Sequence, residues 1–189
     1  EANAGTADAT PAPAYLGGEG RIAAPSSGFA HVALAFNAEV STPLVSVIEQ
    51  CFNIIGAESG VTAFKAGSLF GVYSGAPSAG VGALDAALTD TLTTAPTDKI
   101  VQRAKALAKG QALFALDAGS QSLAAAITQS VLKNETFTSA TALGASYDAI
   151  TTKDVTDAIA TILKTNPSVG AVGDIGVVPY QGTFASRFN

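Results

Sequence analysis

Few side chains in this sequence could carry out catalysis, and its histidine and cysteine are the first to consider. The 189 residues include one histidine, His31, and one cysteine, Cys51. A hydrolytic zinc site needs at least two such ligands at helical or turn spacing, together with a carboxylate, which this pair cannot supply. His31 lies in an apolar run, which favours a satisfied buried or edge-strand histidine over a metal ligand. Cys51 falls on the apolar face of a predicted helix, so we expect a buried structural thiol rather than a nucleophile.

Other catalytic signatures are missing or stand in the wrong context. Neither a Gly-x-Ser-x-Gly nor a Gly-x-x-x-x-Gly-Lys-Ser/Thr sequence occurs. Gly17, Gly18 and Gly20 precede rather than follow the first convincing strand, which argues against a dinucleotide-binding turn. Asp174 follows the last predicted strand without a second carboxylate nearby in sequence, so we interpret it as a strand-end turn residue. The sequence therefore predicts a non-catalytic chain without catalytic, metal-binding or cofactor-binding residues. No cofactor is expected either, because no set of haem or iron–sulfur ligands is present.

Composition narrows the classes of partner. The formal net charge is -5, and the 10 lysines and arginines are scattered rather than clustered. A nucleic-acid backbone or an anionic membrane surface requires clustered cations, so neither is an expected partner. No apolar segment reaches the roughly 20 residues that span a bilayer, so we expect no transmembrane segment in this chain. The sequence begins at Glu1 and contains no methionine, which suggests a processed or partial chain.

These residues must be positioned by elements organised around the stretch Phe29–Asn37. Its sequence, FAHVALAFN, is apolar at nearly every position and is bounded by turn-forming residues. A short continuous apolar run of this kind predicts a strand buried on both faces. Such a strand needs helices to cover it, and the rest of the chain has helical patterns that could do so.

The remaining patterns predict one α+β domain. Residues 1–14, rich in Ala, Thr and Pro, read as a flexible linker or tail, and residues 15–189 form the domain. An edge strand is expected near Ile22, followed by the central strand and a helix that starts at Pro43 after candidate N-caps and stops at Gly56. A hairpin is expected over 61–73, with its loop at 66–68, and a small-residue turn over 75–82. Three helices are expected over 81–92, 97–116 and 120–132. A fourth helix should begin at a capping box at 151–154 and end at 163, and a last strand should follow over 168–173. We expect one mostly antiparallel sheet with helices packed on it.

Several short motifs in this order resemble a known family. Over about residues 15–180 the chain resembles the C-terminal half of a pitrilysin-family protein. The likeness is strongest to the core proteins of mitochondrial ubiquinol–cytochrome c reductase (respiratory complex III), especially the second core protein. The non-catalytic α subunit of the mitochondrial processing peptidase is also similar. The motifs are YLGGEGR at 15–21, HVALAF at 31–36, VTAF at 61–64, SLFGVY at 68–73, VGDI at 172–175 and Pro179-Tyr180.

The resemblance implies a protein of two similar α+β halves joined by a linker, the end of which would be residues 1–14. Active members of the family carry an inverted zinc motif, His-x-x-Glu-His, in their N-terminal half. This sequence has no such motif, so no zinc ligand or catalytic residue is carried over. Family members usually place a Gly-rich loop and a short helix between the first helix and the second strand, whereas residues 55–60 here lead almost directly into Val61.

The implied function is that of a structural subunit. The resemblance implies a non-catalytic, core-protein-2-like component of complex III, peripheral on the matrix side of the mitochondrial inner membrane. Its partners would be another core or processing-peptidase-like subunit, the membrane subunits of complex III and its own N-terminal half. The alternative is the non-catalytic half of a processing-peptidase-type zinc protease that shapes a peptide chamber while another domain supplies the metal.

Overall fold

The structure is a computed structural model that describes residues 14–132 and 138–188. It contains five strands, which are β1 (Gly18–Ala23), β2 (Phe29–Asn37), β3 (Thr62–Ala66), β4 (Leu69–Pro77) and β5 (Ser168–Gly173). The helices of the described residues are α1 (Thr42–Ile55), α2 (Val81–Thr93), α3 (Asp98–Asp117), α4 (Ser120–Leu132), α5 (Ala140–Asp148), α6 (Thr152–Leu163) and α7 (Gln181–Phe188). The predicted linker or tail over 1–14 lies outside the described residues except for Ala14.

The five strands form one mixed sheet in the order β1-β5-β2-β4-β3. Strand β2 is central, and it pairs antiparallel with both β4 and β5. Strands β3 and β4 form the predicted antiparallel hairpin, while β1 pairs parallel to β5 at the opposite edge. The predicted α+β class is confirmed, and the edge position expected for the strand near Ile22 is correct.

Local sequence signals explain where most helices begin and end. Helix α1 has Pro43 in its first turn, where a missing backbone N–H costs nothing, and Gly56 follows its last residue. At the start of α6, Thr151 and Asp154 form the predicted capping box, with each side chain accepting the other residue's backbone N–H. Helices α2, α3 and α4 lie within one residue of their predicted bounds.

The hydrophobic core lies between one face of the sheet and the helices. Helices α1, α2 and α6 pack directly on the strands, and α3 packs behind α1 with α4 and α5 against it. Large side chains that are almost fully buried hold this interface, namely Val32, Leu34, Phe36, Ile48, Phe52, Phe70, Val72, Leu88, Leu92 and Phe184. Apolar burial of this extent is the main favourable contribution to folding.

The prediction that β2 is buried on both faces is wrong. Ala30, Val32 and Leu34 point into the core, but Phe29 and His31 on the opposite face are exposed. The continuous apolar run predicted burial on both faces because both faces of the strand have few polar side chains. The described helices of this chain, however, cover one of these faces. His31 is consequently neither buried nor on an edge strand.

Two further features of the fold differ from what the sequence predicts. The expected small-residue turn over 75–82 is shorter, because β4 continues to Pro77 before a 3-10 turn at Ser78–Gly80. Helices α5 and α7 were not expected from the sequence. Lys105 donates to the carbonyls of Asp148 and Ile150, and Lys109 forms an ion pair with Asp148. These contacts fasten α5 to α3.

Candidate interaction surface

The residues singled out for chemistry are not brought together. Cys51 is fully buried, and this burial raises the pKa of its thiol to about 12. It therefore stays protonated and inert at neutral pH, as predicted for a structural thiol. Asp174 lies directly after β5, and its backbone N–H donates to the carbonyl of Phe29, which fits the predicted strand-end role. Across residues 14–132 and 138–188, no group of three histidine, cysteine or carboxylate side chains is placed to hold a metal ion.

The sheet face opposite the helices is a feature that this chemistry does not explain, and we call it the open face. Side chains alternate between the two faces along each strand. Those of the open face are Gly18, Gly20, Ile22, Phe29, His31, Ala33, Ala35, Asn37, Thr62, Phe64, Ala66, Leu69, Gly71, Tyr73, Gly75, Pro77, Ser168, Gly170 and Val172. No aspartate, glutamate, lysine or arginine is among them, whereas solvated sheet faces normally carry polar and charged residues.

The open face has a raised row and a low row of side chains. Ile22, Val172 and His31 lie side by side at one level, according to the strand register. Ile22 is 65% exposed and Val172 44% exposed, which is unusual for β-branched apolar side chains. Gly20, Gly170 and Ala33 form the adjacent row across the strands, and their small size leaves the surface lower there than at the first row.

An aromatic cluster surrounds His31. Its ring centroid lies 4.9 Å from that of Phe29 and 5.8 Å from that of Tyr73, with the last pair stacked. The Nδ1 atom of His31 is hydrogen-bonded to the Tyr73 hydroxyl. A Cβ at position 75 would lie 2.8 Å from His31 Nδ1 and 2.9 Å from the Phe29 ring, so a residue other than glycine would displace these rings. The cluster is therefore a packed feature of the surface rather than a chance grouping.

Tyr15 closes one end of the open face. Its hydroxyl donates to the carbonyl oxygen of Ala35 at 3.1 Å and lies 2.9 Å from Ser168 Oγ. Ala35 is buried as a result, although its side chain belongs to the open face. The chain thus crosses this end of the sheet before it enters β1.

The opposite face of β1 is fixed by Arg21. Its guanidinium donates to the backbone carbonyls of Ile175, Val178 and Pro179 at 2.9, 2.9 and 3.1 Å and to Glu19 Oε1 at 2.8 Å. The second Glu19 oxygen accepts the backbone N–H of Gln181 at the start of α7. Burial alone would raise the pKa of Glu19, but these hydrogen bonds and the charge of Arg21 hold it below its ordinary value. This network holds the edge strand β1 and the segment after β5 together.

The segment between α1 and β3 is a compact turn. The backbone N–H of Val61 donates to the carbonyl of Gly56 at 3.0 Å, and Gly60 adopts a φ of 68° that favours glycine. Residues 56–60 therefore connect α1 to β3 by a short turn.

The sequence contains a signal for the open face that the apolar pattern of the strands does not reveal. Five glycines of β1, β4 and β5 lie on this face, at positions 18, 20, 71, 75 and 170. Glycine inside a strand often marks a bulge, a bend or a site where a ligand or another backbone approaches closely. The roles of Tyr73 and Arg21 could not be assigned from sequence, because His31 lies 42 residues from Tyr73 and the carbonyls that Arg21 binds lie more than 150 residues away.

Comparison with known proteins identifies the fold. The structure is similar to a chain in the structure described as complex III2 from Candida albicans, Inz-5 bound, with a TM-score of 0.79 and 17% sequence identity. The match covers 92% of this chain and 49% of that one, so this chain spans about half its length. No protein-family model and no curated protein matches the sequence. None of the described helices is both long and apolar enough to cross a membrane. The likeness thus confirms an α+β fold found in a chain of a complex III structure.

Proposed function

We propose that this chain is a structural subunit, or one half of one, of a mitochondrial respiratory complex III. In finer detail, we propose a non-catalytic, core-protein-2-like role, peripheral on the matrix side of the inner membrane. The observation that carries this proposal is the match over 92% of the chain to a complex III structure with a TM-score of 0.79.

The side-chain chemistry is consistent with a role in packing. The buried thiol of Cys51 is inert, His31 is hydrogen-bonded to Tyr73, and the open face of the sheet carries no aspartate, glutamate, lysine or arginine. Contiguous exposed apolar surface of this kind marks sites of protein association. The expected partners are a second core or processing-peptidase-like subunit and the membrane subunits of the complex.

Purification through an affinity tag on this chain in mild detergent tests the proposal. Mass spectrometry of the eluate should then find cytochrome b and cytochrome c1 in fixed ratio to the chain. Their absence from a stable assembly that contains the chain would refute the complex III role.

A second candidate is the non-catalytic half of a processing-peptidase-type zinc protease. The formal net charge of -5 favours it, because an acidic chain attracts basic presequences at long range. The open face itself has no acidic side chain, so this attraction would have to arise elsewhere on the molecule. Recovery of a soluble partner with a His-x-x-Glu-His motif, without cytochromes, would support this second function.

A further inference from the structure

We propose that two copies of this chain associate edge to edge through β1, with the two β1 strands antiparallel about a two-fold axis at Gly20. The site is the outer edge of β1, and its occupant is β1 of the second copy, so that one sheet continues across both molecules. This inference goes beyond the proposed function and does not depend on it, because it is argued from the edge strand alone.

The outer edge of β1 has backbone groups available for pairing. Among the described strands, β5 is the one neighbour of β1. The backbone N–H groups of Gly18 and Ala24 both donate to carbonyls of β5 or of the residue before it. Backbone polar groups of successive residues point to alternate sides of a strand, so those of Glu19, Arg21 and Ala23 point away from β5. A further strand could pair with β1 through these groups.

Exposed apolar side chains surround the same edge. Among the described residues, four of the five most exposed large apolar side chains lie on β1 or beside it, with exposed fractions of 65–78%: Leu16, Ile22, Val177 and Tyr180. Ile22 is on the open face, while the ring of Tyr180 covers the guanidinium of Arg21 on the other face, with its centroid 4.4 Å away. Backbone hydrogen bonds combined with side-chain contacts of this kind are what strand addition uses.

The order of charges along β1 selects a second copy as the occupant and also selects the register. Charged residues on an edge strand normally oppose edge pairing. With the axis at Gly20, however, Glu19 lies opposite Arg21 of the second copy, and Arg21 lies opposite its Glu19. Opposite charges directly across an antiparallel pair are favourable. An axis at Glu19 or at Arg21 would instead place like charges opposite each other, which is unfavourable.

Gly20 permits the close approach that this register requires. Glu19 and Arg21 have outward-pointing backbone groups, so the two pairs that they form each exchange two hydrogen bonds. The Gly20 residues then form the non-hydrogen-bonded pair between them, where Cα atoms are only about 4.5 Å apart. On the same face, Ile22 lies over Gly18 of the second copy, which has no side chain to obstruct it.

The size of the edge predicts a weak dimer. Six residues at about 3.3 Å each give a length of about 20 Å, and a depth of about 15 Å across the sheet gives about 300 Å² on each copy. Stable dimers of independent subunits bury about 800 Å² on each side. We therefore expect association that depends on concentration, which a covalent crosslink can capture.

Disulfide trapping in the purified full chain tests the pairing. Gly20→Cys places two thiols opposite each other at a separation that a disulfide can bridge. Gly18→Cys is the matched control, because it lies on the same face of the same strand but about 13 Å from its counterpart in this register. A Cβ at either position has no neighbour within 4 Å, and the native Cys51 is fully buried.

We expect oxidised G20C to form at least about ten times more crosslinked dimer than G18C on a non-reducing gel, at concentrations where the weak dimer is populated. A mixture of Gly18→Cys and Ile22→Cys chains should crosslink as well, because these positions are opposite each other. Equal crosslinking of G20C and G18C, or a mixture of G18C and I22C that stays monomeric, would overturn the proposed pairing.

A charge test at the axis gives a second, independent result. Gly20→Lys or Gly20→Glu alone places like charges opposite each other and should abolish association, whereas mixing the two variants should restore it. Gly18→Lys adds the same charge opposite Ile22 and should keep most of the association. Sedimentation velocity over a range of concentrations measures these effects, and circular dichroism checks that each variant is folded.

Three outcomes of this test would overturn the inference: a native chain that stays monomeric at every concentration, association that Gly20→Lys does not weaken, or a mixture that does not recover. Each would leave the complex III role standing, because that role is judged by the recovery of cytochromes with the chain.

Discussion

The hydrogen-bond network of Arg21 gives the sharpest test of what holds the sheet edge to the end of the chain. The perturbation is Arg21→Met, which keeps most of the apolar stem but removes the guanidinium. Its side chain is 18% exposed, so the bonds are made largely out of water. Ile175 and Val178 are buried, whereas the carbonyl of Pro179 can be rehydrated after the substitution.

The expected loss of stability follows from the two bonds that water cannot easily replace. A hydrogen bond from a charged donor contributes about 1.5–3 kcal/mol, and the lower value applies because the guanidinium is not fully buried. Two such bonds give a loss of about 3 kcal/mol in the free energy of unfolding. With a urea slope of about 2 kcal/mol per molar, the unfolding midpoint should fall by about 1.5 M.

Urea unfolding followed by circular dichroism measures this change, and two further variants define its origin. Arg21→Lys keeps the charge but has no planar fork of donors, so it should lose about half as much. Lys153→Met removes the exposed ion pair with Asp157 on α6 and should leave the midpoint unchanged within error. A midpoint for Arg21→Met within about 0.2 M of the native protein would refute the reasoning, as would equal effects of Met and Lys.

The same network predicts how stability depends on pH. The pKa of Glu19 lies below its ordinary value of 4.5 in the folded protein, so its ionised form is favoured by folding. A depressed pKa contributes stability that is present at neutral pH and is lost as the pH falls through the folded-state pKa. Glu19→Gln should therefore flatten the acid limb of a plot of midpoint against pH, and an unchanged acid limb would contradict this assignment.

Three other perturbations test separate parts of the fold. Cys51 should react with maleimide only after unfolding, because its pKa of about 12 and its burial keep it unreactive, and reaction in the native state would show that the core opens. Ser46→Ala should lower the free energy of unfolding by about 1–2 kcal/mol, because the buried Ser46 Oγ accepts a hydrogen bond from Lys65 at 2.6 Å and donates to the carbonyl of Thr42 at 2.9 Å. No loss in urea unfolding would refute this bridging role. Thr151→Ala removes the N-cap of α6 and should cost about 1 kcal/mol by the same assay, while Thr151→Ser should be close to neutral.

Much of the secondary structure could be predicted from local pattern. The hairpin of β3 and β4, the start of α6 at its capping box and the end of α1 at Gly56 all lie where their sequence signals place them. Such signals involve residues three or four positions apart, so they act before the chain is compact. Helices α5 and α7 escaped prediction because each is short and is held by contacts from elsewhere in the chain. For α5 these are Lys105 and Lys109, and for α7 they are Glu19 and the ion pair of Arg187 with Asp85.

The candidate interaction surface could be predicted only in part. The glycines of β1, β4 and β5 and the lack of charged residues on one face were present in the sequence, but both also fit strands buried on two sides. Whether a face is covered depends on where the helices pack after β5 has inserted between β1 and β2. That insertion pairs residues about 140 positions apart, which no local pattern encodes.

By itself the sequence determined the class of the fold, the inert character of Cys51 and the absence of a familiar catalytic motif, because these depend on residue type and short-range spacing. The tertiary structure decided that the helices lie on one face of the sheet, that His31 is exposed beside Tyr73, and that Arg21 joins the sheet edge to α7. These features arise from contacts between distant segments, and such contacts form only when burial of the common core brings the segments together.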